Sequence, residues 1–380
     1  MNEVVLRIRG IDSLLFRDAR PFSADIGASS ARTLSCPYPG TVAGFVRTFA
    51  GDRLGLDWSR RDSIDRVLKM TVHAPILQQN GMPLFAAPAD AVVYRASGEN
   101  TPSVMCLRPD THLPEGAGCN LPSGLTPLRV STDVKPEPGY IWWDAEAVTR
   151  WLLSADGSAF NAPAPCAGME REERVHVAIA DGQGTGEEGL LYTVQFLSFE
   201  RYRWGRKPSA ECWALLARVH TEETVPWQGV GLLGGEKRLA AVEPASEEEW
   251  FRCPADLKSA LSSARRVRLM LATPGIFDGG WKPRWVKDGL EGSPPTAPGL
   301  TLRLVSAAVR RREAVSGWDL QASPPQPKAT RLLAPAGSVY FFEVLSGDPS
   351  VLAESAWLQP VSDEPQDARD GYGLALWGIW

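Results

Sequence analysis

Residues 36–54 run CPYPGTVAGFVRTFAGDRL, and the fold class turns on this stretch. Pro37 and Pro39 stop any helix, and Thr41 is placed to cap the next one. Val42, Phe45, Val46 and Phe49 then fall at i, i+3, i+4 and i+7, one helical stripe facing a sheet. Upstream, VVLRIR (4–9) sets Val4, Leu6 and Ile8 against Arg7 and Arg9, the alternation of a half-buried strand. Strand, long loop and helix make the first half of a βαβ-type unit.

The same reading extends along the chain. Strands are expected at 69–77, 174–180, 190–197, 213–219, 266–273, 299–305 and 337–345. Asp144 is positioned to cap a helix carrying Val148, Trp151 and Leu152, and Pro254 opens a short helix. Residues from about 78 to 140 are rich in Pro and Gly and weakly periodic, so they are expected to form a long irregular insertion. Glycines 229, 231, 234 and 235 place a domain boundary there or just before, dividing the chain into 1–225 and 226–380. Short strands interleaved with one or two helices in each half predict an α+β protein. Two ferredoxin-like domains fit best.

A chain of 380 residues exceeds the usual size of one core, which agrees with two domains. With 44% hydrophobic residues and 14 Trp it has too much apolar material for disorder. Net charge is −5, which counts against a protein that coats nucleic acid over its whole surface but leaves room for one basic edge. Six scattered Cys without a CxxC, and only four His, argue against a structural zinc site. No cofactor or metal is expected. The opening MNEVVLRIRG lacks a signal-peptide core and no apolar run approaches ~20 residues, so a cytoplasmic chain with no membrane contact is expected.

Catalytic signatures are scarce. DGQGTGEEG (181–189) sits between two strands as a hairpin loop, not at the start of a helix, and GVGLLGGEKR lacks the GK[ST] ending of a phosphate-binding loop. His176, within RVHVAIA, is either a packed or hydrogen-bonded residue or a general base. Basic and aromatic positions are more informative. LLFRDARPFSAD (14–25) places Arg17 and Arg20 on either side of Asp18, before Pro21 and Phe22. That is either a surface ion pair or a rigid turn presenting Arg to a phosphate backbone, with Phe22 packing or stacking. RYRWGRK (201–207) interleaves Arg201 and Arg203 with aromatic rings, as an RNA contact or a solvated loop. GGEKR (234–238) joins Gly234 and Gly235, which allow close backbone approach, to Lys237 and Arg238. TPGIFDGGWKP (273–283) sets Trp281 and Lys282 after a glycine pair, and RRR (310–312) reads as a solvated charge run.

Together these residues carry a family resemblance. FRDARPF (16–22), followed by PYPGTVAGFVR (37–47), resembles the N-terminal signature of the third Cmr subunit, a RAMP-superfamily component of type III-B CRISPR effector complexes. Position 19 is Ala where that family commonly has Gly. LLGGEKRLA (232–240), TPGIFDGGWKP, KATRLLAPAGSVYFFEV (328–344) and GYGLALWG (371–378) resemble its later segments, in order. The resemblance implies two ferredoxin-like (RRM-like, RAMP) domains and a non-catalytic subunit of a ribonucleoprotein in antiviral defence. It implies partners as well: the 5′ tag of the crRNA, the large polymerase/cyclase-like subunit and the backbone RAMP subunit. On that footing the expected RNA-binding residues are Arg17, Asp18, Arg20, Phe22, Arg47, His176, Arg201, Arg203, Gly234, Gly235, Lys237, Arg238, Trp281, Lys282 and Lys328. Two alternatives remain open at this point. One is a metal-independent RAMP endoribonuclease processing crRNA precursors, with His176 or Tyr202 in acid–base roles. The other is the 5′-end RAMP subunit of a type III-A complex.

Overall fold

The structure is a computed structural model, and it describes residues 2–18, 20, 30–110, 112, 115–116, 118–130, 132–154, 160–179, 182, 184–203, 209–246, 250–319 and 322–380, without the side chains of 187–190, 203 and 318. It is a mixed α/β protein with many strands and few helices. The chain divides into two compact units, one of Met1–Gly81, Gly168–Ala245 and Ala314–Thr330, the other of Met82–Ala167, Ser246–Glu313 and Arg331–Trp380.

In the first unit β1 (Asn2–Gly10) leads through a loop holding β2 (Ser30–Ala31) into α1 (Pro39–Arg53), then α2 (Arg61–Leu68) and β3 (Thr71–Gln79). Next come β4 (Glu170–Ile179), β5 (Gly186–Ser198), β6 (Glu200–Arg203), β7 (Ser209–Thr221), β8 (Gly229–Leu232) and β9 (Leu239–Pro244). β1 lies between β7 and β9, and β3 adds beyond β7, every pair antiparallel. By chain order, the four central strands run fourth, first, third, second. β8 extends the edge beyond β9. The β4–β5 hairpin takes β2 in parallel on its free side.

α1 forms for a different reason from the expected one. Its N-cap is Tyr38, with no side-chain cap, and Pro39 occupies the first turn, where its missing amide is not needed. Thr41 therefore lies inside the helix and is not its cap. The apolar stripe holds: Val42, Val46 and Phe49 are buried, each contributing roughly 1.5–3 kcal/mol. Phe49 stacks on Trp227, with ring centroids 6.3 Å apart. Gly231 of β8 lets the strand close on the helix, because a Cβ there would meet the Phe45 ring at 2.9 Å.

The second unit repeats the strand order. β10 (Arg266–Leu271) lies between β12 (Val339–Ser346) and β13 (Leu374–Ile379), and β11 (Thr301–Ala308) adds beyond β12, all antiparallel. Residues between β10 and β11 form no helix, whereas α5 (Val351–Glu354) and α6 (Pro365–Arg369) connect β12 to β13. α3 (Ala145–Leu153) and α4 (Ala255–Leu261) pack on β13. As expected, Asp144 caps α3, its Oδ1 accepting from the Ala147 amide at 2.7 Å.

A buried ionic cluster lies in this unit. Asp90 and Arg268 are both fully buried and approach to 3.5 Å, Oδ2 to Nη1. The Arg268 guanidinium lies 3.9 Å from the Trp151 ring centroid, and its Nη2 donates to Ser154 O at 3.2 Å. Arg108 donates to the same carbonyl. Burial outweighs the neighbouring guanidinium groups, so the Asp90 carboxyl is pushed up to about 6.

Two expectations are corrected. A boundary at 225/226 would assign residues 226–245 to the C-terminal half, yet β8 and β9 complete the first unit's sheet beside β1. The glycines suggest a linker, but here they serve close packing. The stretch from about 78 to 140 is not an irregular insertion of the N-terminal half. From residue 82 it belongs to the second unit, with strands Met82–Ala86, Ala91–Tyr94 and Ser103–Cys106. These runs are too short to show a period.

Candidate nucleic-acid interface

The exit of β1 is clamped before it turns. Leu14 and Leu197 exchange backbone hydrogen bonds of 2.9 and 2.7 Å, and the Leu34 amide donates to Phe16 O at 2.7 Å. The Asp18 amide donates to Arg32 O at 3.1 Å. Both legs of the loop are thus fixed against each other. Past these ties Asp18 holds Arg20: Oδ1 accepts from the Arg20 amide at 3.1 Å and Oδ2 faces Arg20 Nε at 3.3 Å. Arg17 Nη2 donates to Arg20 O at 3.4 Å. Arg20 leaves 65% of its side chain in solvent.

The glycine loop docks on this turn. The Gly235 amide donates to Leu15 O at 2.8 Å. Gly234 has φ +80, and a Cβ there would sit 2.4 Å from that same carbonyl oxygen. Only glycine meets both demands. Replacing Gly234 with Ala is expected to cost roughly 2–4 kcal/mol in chemical unfolding, from left-handed strain plus displacement of Leu15. Gly235→Ala, with its Cβ 3.0 Å from the Leu15 side chain, is expected to cost less. Equal losses at the two positions would contradict this account.

A pocket of about 320 Å³ opens between these elements, lined by Arg17, Asp18, Tyr38, Thr41, Gly234 and Gly235 among others, with 314–316 closing one side. It sits at the start of α1, where no side chain caps the helix. Pro39 has no amide, the Thr41 and Val42 amides turn back to Tyr38 O at 2.9 and 3.4 Å, and the Gly40 amide carries the partial positive charge of the helix end. Lys328 is exposed, and its amide ties to Gly317 O at 2.8 Å beside the 314–316 segment.

Behind the pocket, Arg238 belongs to an ionic lattice. Its guanidinium lies 4.5 Å from the Phe196 ring centroid and binds Asp12, and the Arg174 guanidinium lies 4.9 Å from the same centroid. The Ser13 amide first, then Arg238 and Arg174, holds the Asp12 carboxyl below its usual range. Glu172 accepts from Arg174 Nε at 2.7 Å and from Ser13 Oγ at 2.7 Å. Lys237 is exposed at the tip of the glycine loop, in a left-handed conformation with φ 53.

The remaining expected contacts lie elsewhere. Arg47 is a correction: it is buried, and Nη2 donates to Met70 O at 2.8 Å, so it anchors α1 and offers no guanidinium to a ligand. The helical stripe could have warned of this, since Arg47 directly follows Val46. His176 stacks on Tyr192 with centroids 5.3 Å apart. Arg201 pairs with Glu170 at 2.9 Å. Phe22 and the side chain of Arg203 fall outside the described residues. Trp281 and Lys282 belong to the second unit, where Lys282 Nζ donates to Val286 O at 2.7 Å. Tyr38, between the two prolines, and segment 314–316 were not singled out by sequence. The first had a visible signal in PYPG; the second had none.

These features define a strand-rich mixed α/β protein whose first unit gathers arginine, glycine and a bare helix start around one small pocket. The profile of the CRISPR-associated protein (Cas_Cmr3) family matches residues 6–380, and the chain belongs to that family. No protein of curated function matches it. Among solved structures, a chain in the cryo-EM structure of the type III-B Cmr-beta bound to cognate target RNA is 13% identical, with TM-score 0.46, covering 89% of this chain and 86% of that one. A chain from the same assembly with target RNA and AMPPnP, state 1, is 12% identical, with TM-score 0.47 and the same coverages of 89% and 86%. A chain of the Csm3–Csm4 subcomplex in the type III-A CRISPR-Cas interference complex is 10% identical, with TM-score 0.39, covering 91% and 94%. No helix among the described residues is long and apolar enough to cross a membrane.

Proposed function

We propose that this protein is a non-catalytic RNA-binding subunit of a type III-B CRISPR effector. It holds the 5′ repeat-derived tag of the crRNA and docks the large polymerase/cyclase-like subunit and the backbone RAMP subunit. Each unit is a ferredoxin-like domain, a reading supported by the shared fourth-first-third-second strand order. The observation that carries the RNA reading is the convergence of the Arg17–Arg20 turn, the start of α1 and the Gly234–Gly235 loop on one pocket.

A phosphodiester suits that arrangement. The helix start and the Thr41 hydroxyl offer donors, and Arg17 offers a guanidinium. Asp18 keeps its oxygens turned to Arg20, so it stiffens the turn while tempering its charge. These contacts position the strand without reading bases. His176, packed on Tyr192, is assigned a structural place, and no catalytic one.

The test is photocrosslinking in the assembled complex, with 4-thiouridine placed through the 5′ tag of the guide. Adducts are expected on 16–20, 38–41 or 234–237. Adducts confined to the β4–β5 hairpin would remove the pocket from the RNA path. Site-specific cleavage of repeat RNA by the purified chain in EDTA would overturn the non-catalytic assignment.

A further inference from the structure

The second unit carries a larger concavity, of about 590 Å³, remote in character from the pocket above. Its walls are mainly aliphatic, formed by Leu121, Leu125, Leu128 and Leu332, with Trp281 as the one aromatic side chain among the described residues. Leu121 and Leu332 are 41% and 42% exposed, an unusual state for two leucines beside the same cavity. Arg310 and Arg312 line it too, and among the described residues no carboxylate does. Arg310 is tethered, with Nη2 donating to Pro88 O at 3.4 Å. Arg311 and Arg312 are exposed and take no hydrogen-bond or ion-pair partner among the described residues.

Two kinds of occupant combine apolar surface with negative charge: a nucleotide and an acidic protein segment. The polar groups of the walls separate them. Ser306 Oγ donates to Thr126 O at 2.6 Å, the Thr126 amide donates to Val305 O at 2.8 Å, and the Tyr340 hydroxyl donates to Trp281 O at 2.6 Å. With these groups engaged, a nucleobase would lose hydrogen bonds from its edge and find only one ring to stack on. Aliphatic side chains lose nothing there, and flanking carboxylates meet the Arg312 guanidinium, which takes no partner among the described residues. Apolar anchors in a pocket with Arg at the rim are the usual anatomy of a protein–protein hot spot.

We propose that this concavity docks a protein partner, through a short segment whose apolar side chains are flanked by Asp or Glu. The inference rests on the assembly reading above only in taking that partner to be a subunit of the same complex. Arg310 and Arg312 then acquire a role as the rim that selects the segment by charge.

The test places a photocrosslinking amino acid, p-benzoylphenylalanine, at Leu332 of the full chain co-expressed with the other proteins of its CRISPR complex. Leu121 is a second position should the first variant fold poorly. The expected product is an RNase-resistant adduct to another subunit, at a peptide bearing Asp or Glu beside apolar residues. Arg312→Glu should reduce that adduct at least tenfold, and Arg312→Lys should keep most of it. An RNase-sensitive adduct alone, an adduct only to a second copy of this chain, or no adduct in an assembled complex would each overturn the proposal. Guide RNA is quantified in the same preparations. Lost RNA with the adduct retained sinks the guide-end reading alone, and the reverse sinks this one alone.

Discussion

Arg17→Glu combined with Arg20→Glu is expected to weaken guide retention by the assembled complex roughly a hundredfold, from two charge-assisted contacts of about 1.5 kcal/mol each. Binding should also become less salt-dependent, the slope of log K against log salt falling by ~1.4 for a single strand. Stability should hardly move, because Arg20 is largely solvated and its pairing with Asp18 is a surface contact. The combination is diagnostic: strong loss of RNA, a shallower salt slope and an unchanged melting temperature. If affinity fell without any change in slope, the two side chains would be acting through loop shape and not as phosphate ligands. Arg47→Met is the complementary case. It should lower stability by removing the buried tie to Met70 O, while leaving the salt slope intact.

The second large effect concerns Arg268. Arg268→Met leaves the Asp90 carboxylate buried without its ion-pair partner, with Arg108 and Arg310 as remaining charged neighbours, and is expected to destabilise the second unit by about 3–5 kcal/mol. Adding Asp90→Leu removes the stranded charge, and the double variant should recover to within about 1 kcal/mol of the parent. A double variant no more stable than Arg268→Met would mean that the guanidinium contributes through Trp151 and Ser154, not through Asp90. The pair also sets a pH dependence. The Asp90 carboxyl rises from 3.8 to about 6 on folding, so the folded state holds a proton that the unfolded state has released. Its contribution is fully present below pH 3.8 and is lost as pH rises through about 6. A rise of that size corresponds to ~3 kcal/mol. Asp90→Asn should flatten the stability difference between those pH values, measured as chemical unfolding against pH.

The sequence was most legible where a period ran long enough to be counted. Alternation at 4–9 and 266–273, and the apolar runs at 213–219 and 337–345, correspond to strands in the structure, and the 42–49 stripe corresponds to the buried face of α1. Legibility failed where one residue type serves two purposes. Gly231 and Gly234 look like breaks in the chain, but Gly231 lets β8 approach Phe45 and Gly234 meets Leu15 O. Arg268 sits at an alternating position of RVRLML that would face solvent on a one-sided sheet. Here Trp151 of α3 covers that face, so the guanidinium is buried. Of the site, the RDAR turn and the GG loop were visible in advance, and they share a pocket. Segment 314–316 was not, because Ala314, Val315 and Ser316 form no pattern that points to a ligand.

The order in which residues leave the ribosome gives the interleaved division of the chain a practical meaning. Six alternating segments make up the two units, so neither is finished by a single contiguous stretch. A nascent chain halted at residue 225 would leave β1 without β9, a bare hydrogen-bonding edge of the kind that invites aggregation. Closure of the first unit waits for residues 314–330, which emerge just before the final fifty. Truncations made to separate an RNA-binding half from a docking half should therefore yield insoluble fragments. Dissecting this protein calls for point substitutions within the full-length polypeptide.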